Sequence, residues 1–257
     1  MDISIIYEDD DLLVIDKPAG VVVNRSENAK EETVQDWAEK YLKVLQEYKV
    51  SKVSSGETPR EAVIKASGTA DTFGTFYNRA GIVHRLDKET SGILLIAKNP
   101  SVFAKLQAQF KERTTVKKYI ALVHGFVAGR GVIRAPVGRL PWNRRKFGII
   151  SEGRDAETSY RVISYRKDKK TKIYTLLEVT PHTGRTHQIR IHLKYLGYPI
   201  VADELYAGRK VYREDKKFCP RLFLHAAYLS FQHPATSRNL EIKCEMPNTL
   251  VEVINKL

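Results

Sequence analysis

The segment His84-Arg85-Leu86-Asp87-Lys88-Glu89-Thr90-Ser91-Gly92 runs directly into Ile93-Leu94-Leu95-Ile96-Ala97. A charged loop opening onto an unbroken apolar run reads as polar side chains held at the mouth of a buried strand, where a rigid scaffold presents functional groups. Gly92, at the junction, permits a second backbone to approach closely. The chain must therefore fold around that strand and keep the loop at its end.

Other short apolar runs, at 12–15, 116–123, 132–136, 159–164, 174–179, 222–229 and 240–244, also read as strands. The turn Lys17-Pro18-Ala19-Gly20 leads from the first of them into Val21-Val22-Val23, which predicts a hairpin-like entry. Helical signals are fewer. From Glu31 onward, Val34, Trp37, Ala38, Tyr41, Leu42 and Leu45 share one helical stripe, with Glu31, Glu32 and Asp36 near its positive end. Asn99 and Pro100 supply an N-cap and a first-turn proline for a helix whose inner face is Val102, Phe103, Leu106 and Phe110. A third helix spans 186–196 and stops at Gly197, with Pro199 beyond. Residues 49–79 are polar and weakly periodic, and read as a surface insertion with at most a short helix at 61–65. Nothing divides the chain, so one α+β domain over 1–257 is expected, built on a mixed, largely antiparallel sheet.

Charge points to the partner. Lys and Arg number 43 against 30 Asp and Glu, a formal net charge of +13, as in proteins that meet a polyanion. Residues 1–97 hold 12 basic and 17 acidic side chains, so the surplus lies in the remainder. Between 130 and 172, Arg139, Arg144, Arg145, Lys146, Arg154, Arg166, Lys167, Lys169, Lys170 and Lys172 interleave with Trp142, Phe147, Tyr160 and Tyr165. That mixture suits phosphate contact with base stacking, and equally suits a solvated basic edge. The two cysteines, Cys219 and Cys244, fit a reducing compartment. With no signal segment and no apolar run near the ~18 residues of a span, a cytoplasmic protein without a membrane partner is expected.

Three residues could carry chemistry. Asp87 sits in the charged loop, where an aspartate is otherwise a turn former. Arg185, in Thr183-Gly184-Arg185-Thr186-His187-Gln188, precedes a helix start, where a cation is disfavoured unless an anion approaches it. Tyr119 follows Lys117 and Lys118 inside an apolar strand, so its hydroxyl needs a partner if it faces inward. His182, His187 and His192 recur every five residues, which neither a helix nor a strand gathers on one face, so no metal is expected. Phosphate-loop and dinucleotide fingerprints are missing, Ser91 lacks a nucleophile-elbow context, and neither cysteine sits in a nucleophile signature, so no cofactor is expected.

The run Gly81-Ile82-Val83-His84-Arg85-Leu86-Asp87-Lys88-Glu89-Thr90-Ser91-Gly92 closely resembles the signature of the RluA-type pseudouridine synthases, uridine isomerases of structured RNA. Residues 7–22 resemble that family's first motif, Lys117-Lys118-Tyr119-Ile120-Ala121-Leu122-Val123 its tyrosine motif, and 181–197 its arginine motif. Arg221-Leu222-Phe223-Leu224-His225-Ala226, followed by Phe231-Gln232-His233-Pro234, is similar to its closing strand and turn.

The resemblance implies a pseudouridine synthase fold with a central active-site cleft, flanking helices and loops, and no metal or organic cofactor. It makes Asp87 the catalytic aspartate, Tyr119 the active-site tyrosine and Arg185 the aspartate's basic partner, close enough to lower its pKa. The carboxylate starts breaking the C1′–N1 bond, and C1′ rejoins C5 of the turned uracil. The target uridine must be flipped out of its stack. His84, Arg85, Thr90 and Ile189 are the implied substrate-binding residues, with Arg144, Arg145, Lys169 and Lys170 on phosphates. An N-terminal S4 RNA-binding module, carried by many relatives, is not expected because the first motif begins near Met1. The expected partner is ribosomal or transfer RNA, not DNA, bound by a monomer. The alternative is a non-catalytic RNA-binding or ribosome-assembly factor on the same fold.

Overall fold

The computed structural model describes residues 1–25, 31–42 and 70–257, apart from the side chains of 70–73 and 144–145. The chain forms two compact units. The first comprises Met1–Lys88, Ile93–Thr115 and Ser230–Ile242, and the second Glu89–Gly92, Val116–Leu229 and Lys243–Leu257.

In the first unit, β1 (Ser4–Glu8) pairs antiparallel with β2 (Leu12–Lys17). Asp9 closes the turn, its Oδ1 accepting from the amides of Asp11 and Leu12 at 2.9 and 2.8 Å. Leu12, Leu13, Val14 and Ile15 are fully buried, so β2 is covered on both faces, each side chain contributing roughly 1.5–3 kcal/mol. Beside β2 lies β3 (Ser91–Ala97), buried along its whole length. Three helices accompany these strands: α1 (Val34–Leu42), α2 (Ala70–Asn78) and α3 (Pro100–Glu112). Asn99 caps α3 by accepting from the Val102 amide at 2.9 Å, as its sequence position predicts. Val102, Phe103 and Leu106 face inward, and Phe76 of α2 meets Phe103 edge-on at 5.7 Å.

The second unit is an antiparallel run in which β4 (Val116–His124) pairs with β9 (Ile173–Pro181), β9 with β8 (Glu157–Lys167), and β8 with β5 (Arg130–Arg134). A separate hairpin joins β6 (Val137–Leu140) to β7 (Asn143–Ile149). The start of β3 pairs in parallel with β10 (Leu224–Gln232), His225 opposite Ser91 and Ala226 opposite Gly92. This parallel pair makes the sheet mixed. The remaining elements of this unit are α4 (Gln188–Tyr195), α5 (Arg209–Asp215) and α6 (Asn248–Lys256), and β11 (Asn239–Lys243) belongs, but for Lys243, to the first unit. Ile189 and Leu193 of α4 pack in one core with Ala121, Val123, Leu177 and Val179. No helix among the described residues is long and apolar enough to cross a membrane.

Three expectations change. Val21 to Val23 form no strand, because the carbonyls of Val22 and Val23 accept from the first amides of α1, those of Val34 and Gln35, each at 3.0 Å. The hairpin partner of β2 is β1, which precedes it. Helix α1 starts at Val34 rather than near Glu31, because Thr33 and Asp36 form a reciprocal capping box, Thr33 N to Asp36 Oδ2 at 2.8 Å and Asp36 N to Thr33 Oγ1 at 3.2 Å. Its buried stripe is Val34, Ala38 and Leu42, while Trp37 and Tyr41 stack on each other at 5.0 Å. The last part of the expected insertion is helix α2, anchored by the buried Phe76. Leu45 and the short helix at 61–65 lie outside the described residues.

Candidate active site

Residues 83–90 form an irregular loop between two anchored ends. At its start, Ile82 bridges antiparallel to Ile96, and Gly81 takes φ +72° with its carbonyl accepting from Ala97 N at 2.8 Å. A Cβ on Gly81 would lie 2.1 Å from the Ala97 carbonyl oxygen, so only glycine fits. His84 is locked twice, its Nε2 accepting from Leu95 N at 3.0 Å and its ring stacking on Phe110 at 4.7 Å. An Nε2 acceptor places the ring proton on Nδ1 of the neutral imidazole. Leu86 is buried, Arg85 is exposed, and Asp87 between them and the turn is half-buried.

The carbonyl next to Asp87 is held from within. Lys17, fully buried, donates from Nζ to Pro18 O at 2.7 Å, Val21 O at 2.9 Å and Lys88 O at 3.1 Å. Lys88 O also accepts from Gly20 N at 2.8 Å. The motif Lys17-Pro18-Ala19-Gly20 thus curls one ammonium around three carbonyls, one of them in the aspartate loop.

The far end of the loop belongs to the second unit. Arg221 donates to Glu89 O at 3.3 Å and to Ser91 Oγ at 2.8 Å; Ser91 Oγ lies 2.8 Å from His225 Nδ1, and His225 Nε2 lies 3.2 Å from Cys244 O. A carbonyl can only accept, so Nε2 carries the imidazole proton, Nδ1 accepts from Ser91, and the donors run one way from Arg221 to Cys244. Gly92, at φ +112°, would bring a Cβ within 2.3 Å of Ala226 O, so the close approach expected there is real. Thr90 is buried, and its hydroxyl has no hydrogen-bond partner among the described residues.

Tyr119 lies half-buried on β4 opposite Val179, two residues before β9 ends at Pro181 and the loop bearing Arg185 begins. That loop is organised by a residue the sequence reading missed. The buried amide of Gln188 accepts on Oε1 from Thr183 Oγ1 at 2.7 Å and Arg185 N at 3.0 Å, and donates from Nε2 to Glu157 O at 3.0 Å and Thr158 Oγ1 at 2.9 Å. All four of its hydrogen-bonding positions are used. The Arg185 guanidinium donates from Nε to Asp155 O at 3.1 Å, and His187 takes a left-handed φ of +55° at the helix entrance.

Behind the loop, Arg190 and Asp203 form a buried bidentate pair, Nε to Oδ2 and Nη2 to Oδ1 each at 2.8 Å. Arg190 lies over the Tyr206 ring at 5.0 Å, and the Tyr206 hydroxyl is 2.9 Å from His187 Nδ1. The three histidines serve separate partners: His182 meets Ser159, His187 meets Tyr206, and His192 meets Thr158 and the Ala135 carbonyl. Burial pushes the His192 imidazole below its usual value.

Asp87 and its neighbours His84 and Arg85 therefore lie in the first unit, and Tyr119, Arg185 and Thr90 in the second. Ile189 is 7% exposed and packs in the core of the second unit. Arg144 and Arg145 lie on β7, and Lys169 and Lys170 are exposed in the turn between β8 and β9. Lys17 and Gln188 are polar residues beside apolar runs, and that local clash of polarity was the signal that could have marked them.

Residues 11–195 match the family described as RNA pseudouridylate synthase. An uncharacterised RNA pseudouridine synthase of Bacillus subtilis is 34% identical over 258 residues, covering 100% of this chain and 73% of that protein. The ribosomal large subunit pseudouridine synthase D of Pseudomonas aeruginosa is 32% identical over 265 residues, covering 100% and 72%. Among solved structures, human RNA pseudouridylate synthase domain containing 1 superposes with a TM-score of 0.66 at 26% identity, covering 96% of this chain and 84% of that one.

Proposed function

The chain belongs to the RNA pseudouridylate synthase family, of the RluA type, and on that premise we propose that its substrate is ribosomal RNA. It is an isomerase that acts on RNA and converts uridine to pseudouridine. The observation that carries the ribosomal target is the match, along the whole chain, to a pseudouridine synthase named for the ribosomal large subunit.

Asp87 begins the cleavage of the C1′–N1 bond, and the freed uracil turns so that C1′ rejoins at C5, the C5 proton leaving to solvent and N1 taking one up. Tyr119 contacts the uracil ring, and Arg185 serves as the basic partner in the reaction. The anchored loop ends and the filled hydrogen bonds of Gln188 support this reading, because a preorganised loop meets the reacting bond without further ordering. His84, Arg85, Thr90 and Ile189 are the proposed substrate-binding residues, Thr90 and Ile189 from buried positions, and Arg144, Arg145, Lys169 and Lys170 the proposed phosphate contacts. The target nucleotide leaves its stack before reaction.

The test is tritium release from ribosomal RNA labelled at uridine C5 and lacking pseudouridine, comparing this protein with its Asp87→Asn form. Release by the wild type alone is expected. Release from transfer RNA but not from ribosomal RNA would move the target, and binding without release from either would favour a non-catalytic RNA-binding factor.

A further inference from the structure

Besides His84 on Phe110 in the aspartate loop, two stacked pairs of partly exposed aromatic rings occur among the described residues, and their surroundings differ in sign. Trp37 and Tyr41, in the first unit, stack at 5.0 Å amid carboxylates: Tyr41 donates to Glu8, Arg25 is taken up by Asp36 and Glu39, and Lys40 by Glu32. A phosphate chain is repelled there. Phe126 and Tyr165, in the second unit, stack at 4.8 Å with 16° between planes, and are 56% and 42% exposed. Tyr165 opens a run holding Arg166, Lys167, Lys169, Lys170 and Lys172 with only Asp168 opposing.

We propose that the Phe126–Tyr165 stack is a nucleobase-binding platform for an unpaired stretch of the RNA substrate, with the turn at 166–172 holding its phosphates. This rests on the reading of the chain as an enzyme of RNA, and adds to it a contact away from the reacting nucleotide. The platform is rigid before any ligand arrives. The Tyr165 hydroxyl donates to Val127 O at 3.0 Å, which fixes its ring, and the Phe126 ring lies parallel to it. The turn is set by Asp168, whose Oδ1 accepts from Lys170 N at 2.8 Å and Lys172 N at 2.9 Å, with Thr171 at φ +63°. Its backbone is thus fixed by the only carboxylate within it, leaving the lysine side chains exposed to solvent. Glu214 also acts on Lys170 and Lys172, although its hydrogen bond goes to Lys217.

Register gives the distance. Tyr165 pairs with Thr175 and Thr175 with Val123, two strands or about 10 Å across the sheet, and Tyr119 lies four residues or about 13 Å along β4, about 16 Å in all. A strand stacked at roughly 3.4 Å per nucleotide covers that in about five nucleotides. An aromatic pair beside a cationic turn is the arrangement by which single-stranded nucleic acid is held without base-specific hydrogen bonds.

The test is fluorescence anisotropy with a labelled twelve-nucleotide oligouridylate, in parallel with tritium release from a minimal RNA hairpin. Phe126→Ala is expected to weaken oligouridylate binding about tenfold with the salt slope unchanged. Lys169→Glu with Lys170→Glu is expected to reduce that slope. Phe126→Leu, which keeps apolar bulk without a stacking face, should lose as much as the alanine variant, and Tyr165→Phe, which keeps the stacking face but loses the bond that fixes it, should lose less. Release from the hairpin should be unaltered in the Phe126 and Tyr165 variants, so a wild type that binds oligouridylate but releases no tritium counts against the isomerase and not against the platform. Wild-type affinity in both Phe126 variants, or photocrosslinks from 5-iodouridine that avoid Phe126 and Tyr165, would overturn the proposal.

Discussion

Replacing Lys17 by methionine keeps the length and apolar bulk of the side chain and removes only the ammonium. That group lies in a fully buried residue and donates to three carbonyls, at 2.7, 2.9 and 3.1 Å. Lys88 O keeps a second donor, Gly20 N, so the variant leaves the carbonyls of Pro18 and Val21 to lose their charged partner. A buried polar group left unsatisfied costs about 1–3 kcal/mol, which for two carbonyls gives roughly 2–6 kcal/mol. Relief from burying the ammonium offsets part of this, and we expect a net loss near 3 kcal/mol in urea unfolding with an unchanged m-value. Because Lys88 adjoins Asp87, kcat for tritium release should also fall at least about tenfold, with KM little altered. A stability loss below about 1 kcal/mol together with wild-type kcat would refute the idea that this ammonium holds the aspartate loop.

Gln188→Ala removes four hydrogen bonds around the Arg185 loop and should cost about 2–4 kcal/mol and most of the activity, as read by thermal unfolding and tritium release; full activity would assign Gln188 to packing alone. Gly92→Ala drives a Cβ into Ala226 O at a φ of +112°, so expression as an unfolded or strongly destabilised protein is expected, and a wild-type melting temperature would contradict the close approach. His192 is held neutral by burial, below its usual 6.5, so the unfolded chain takes up the proton first as pH falls. Its contribution is complete above pH 6.5 and is lost as pH drops through the depressed folded value, at up to about 1.4 kcal/mol per pH unit. Denaturant titrations from pH 7.5 to about 5 should show a shallower loss in His192→Asn, and identical slopes in both proteins would argue against a buried neutral ring.

Some of this protein is written in short stretches of chain. The cap at Asn99 and Pro100, the strand at β3, the tyrosine strand β4, the stop at Gly197 and the glycine backbone at Gly92 follow from residues within a few positions of one another, because capping, strand patterning and left-handed backbone are local effects. The candidate site motifs could be read for the same reason, each being a short run around Asp87, Tyr119 or Arg185. Other features depend on partners far along the chain. Val21 to Val23 have strand composition but give their carbonyls to α1, and Trp37 and Tyr41 obey the helical stripe yet stack at the surface, since burial is decided by what packs above. The hairpin of β6 and β7 is masked by its charges. Lys17 and Gln188 acquire meaning only when Lys88, Glu157 and Thr158 arrive beside them. A buried polar group is stable only with its hydrogen-bond partners in place, and folding alone brings those partners within reach.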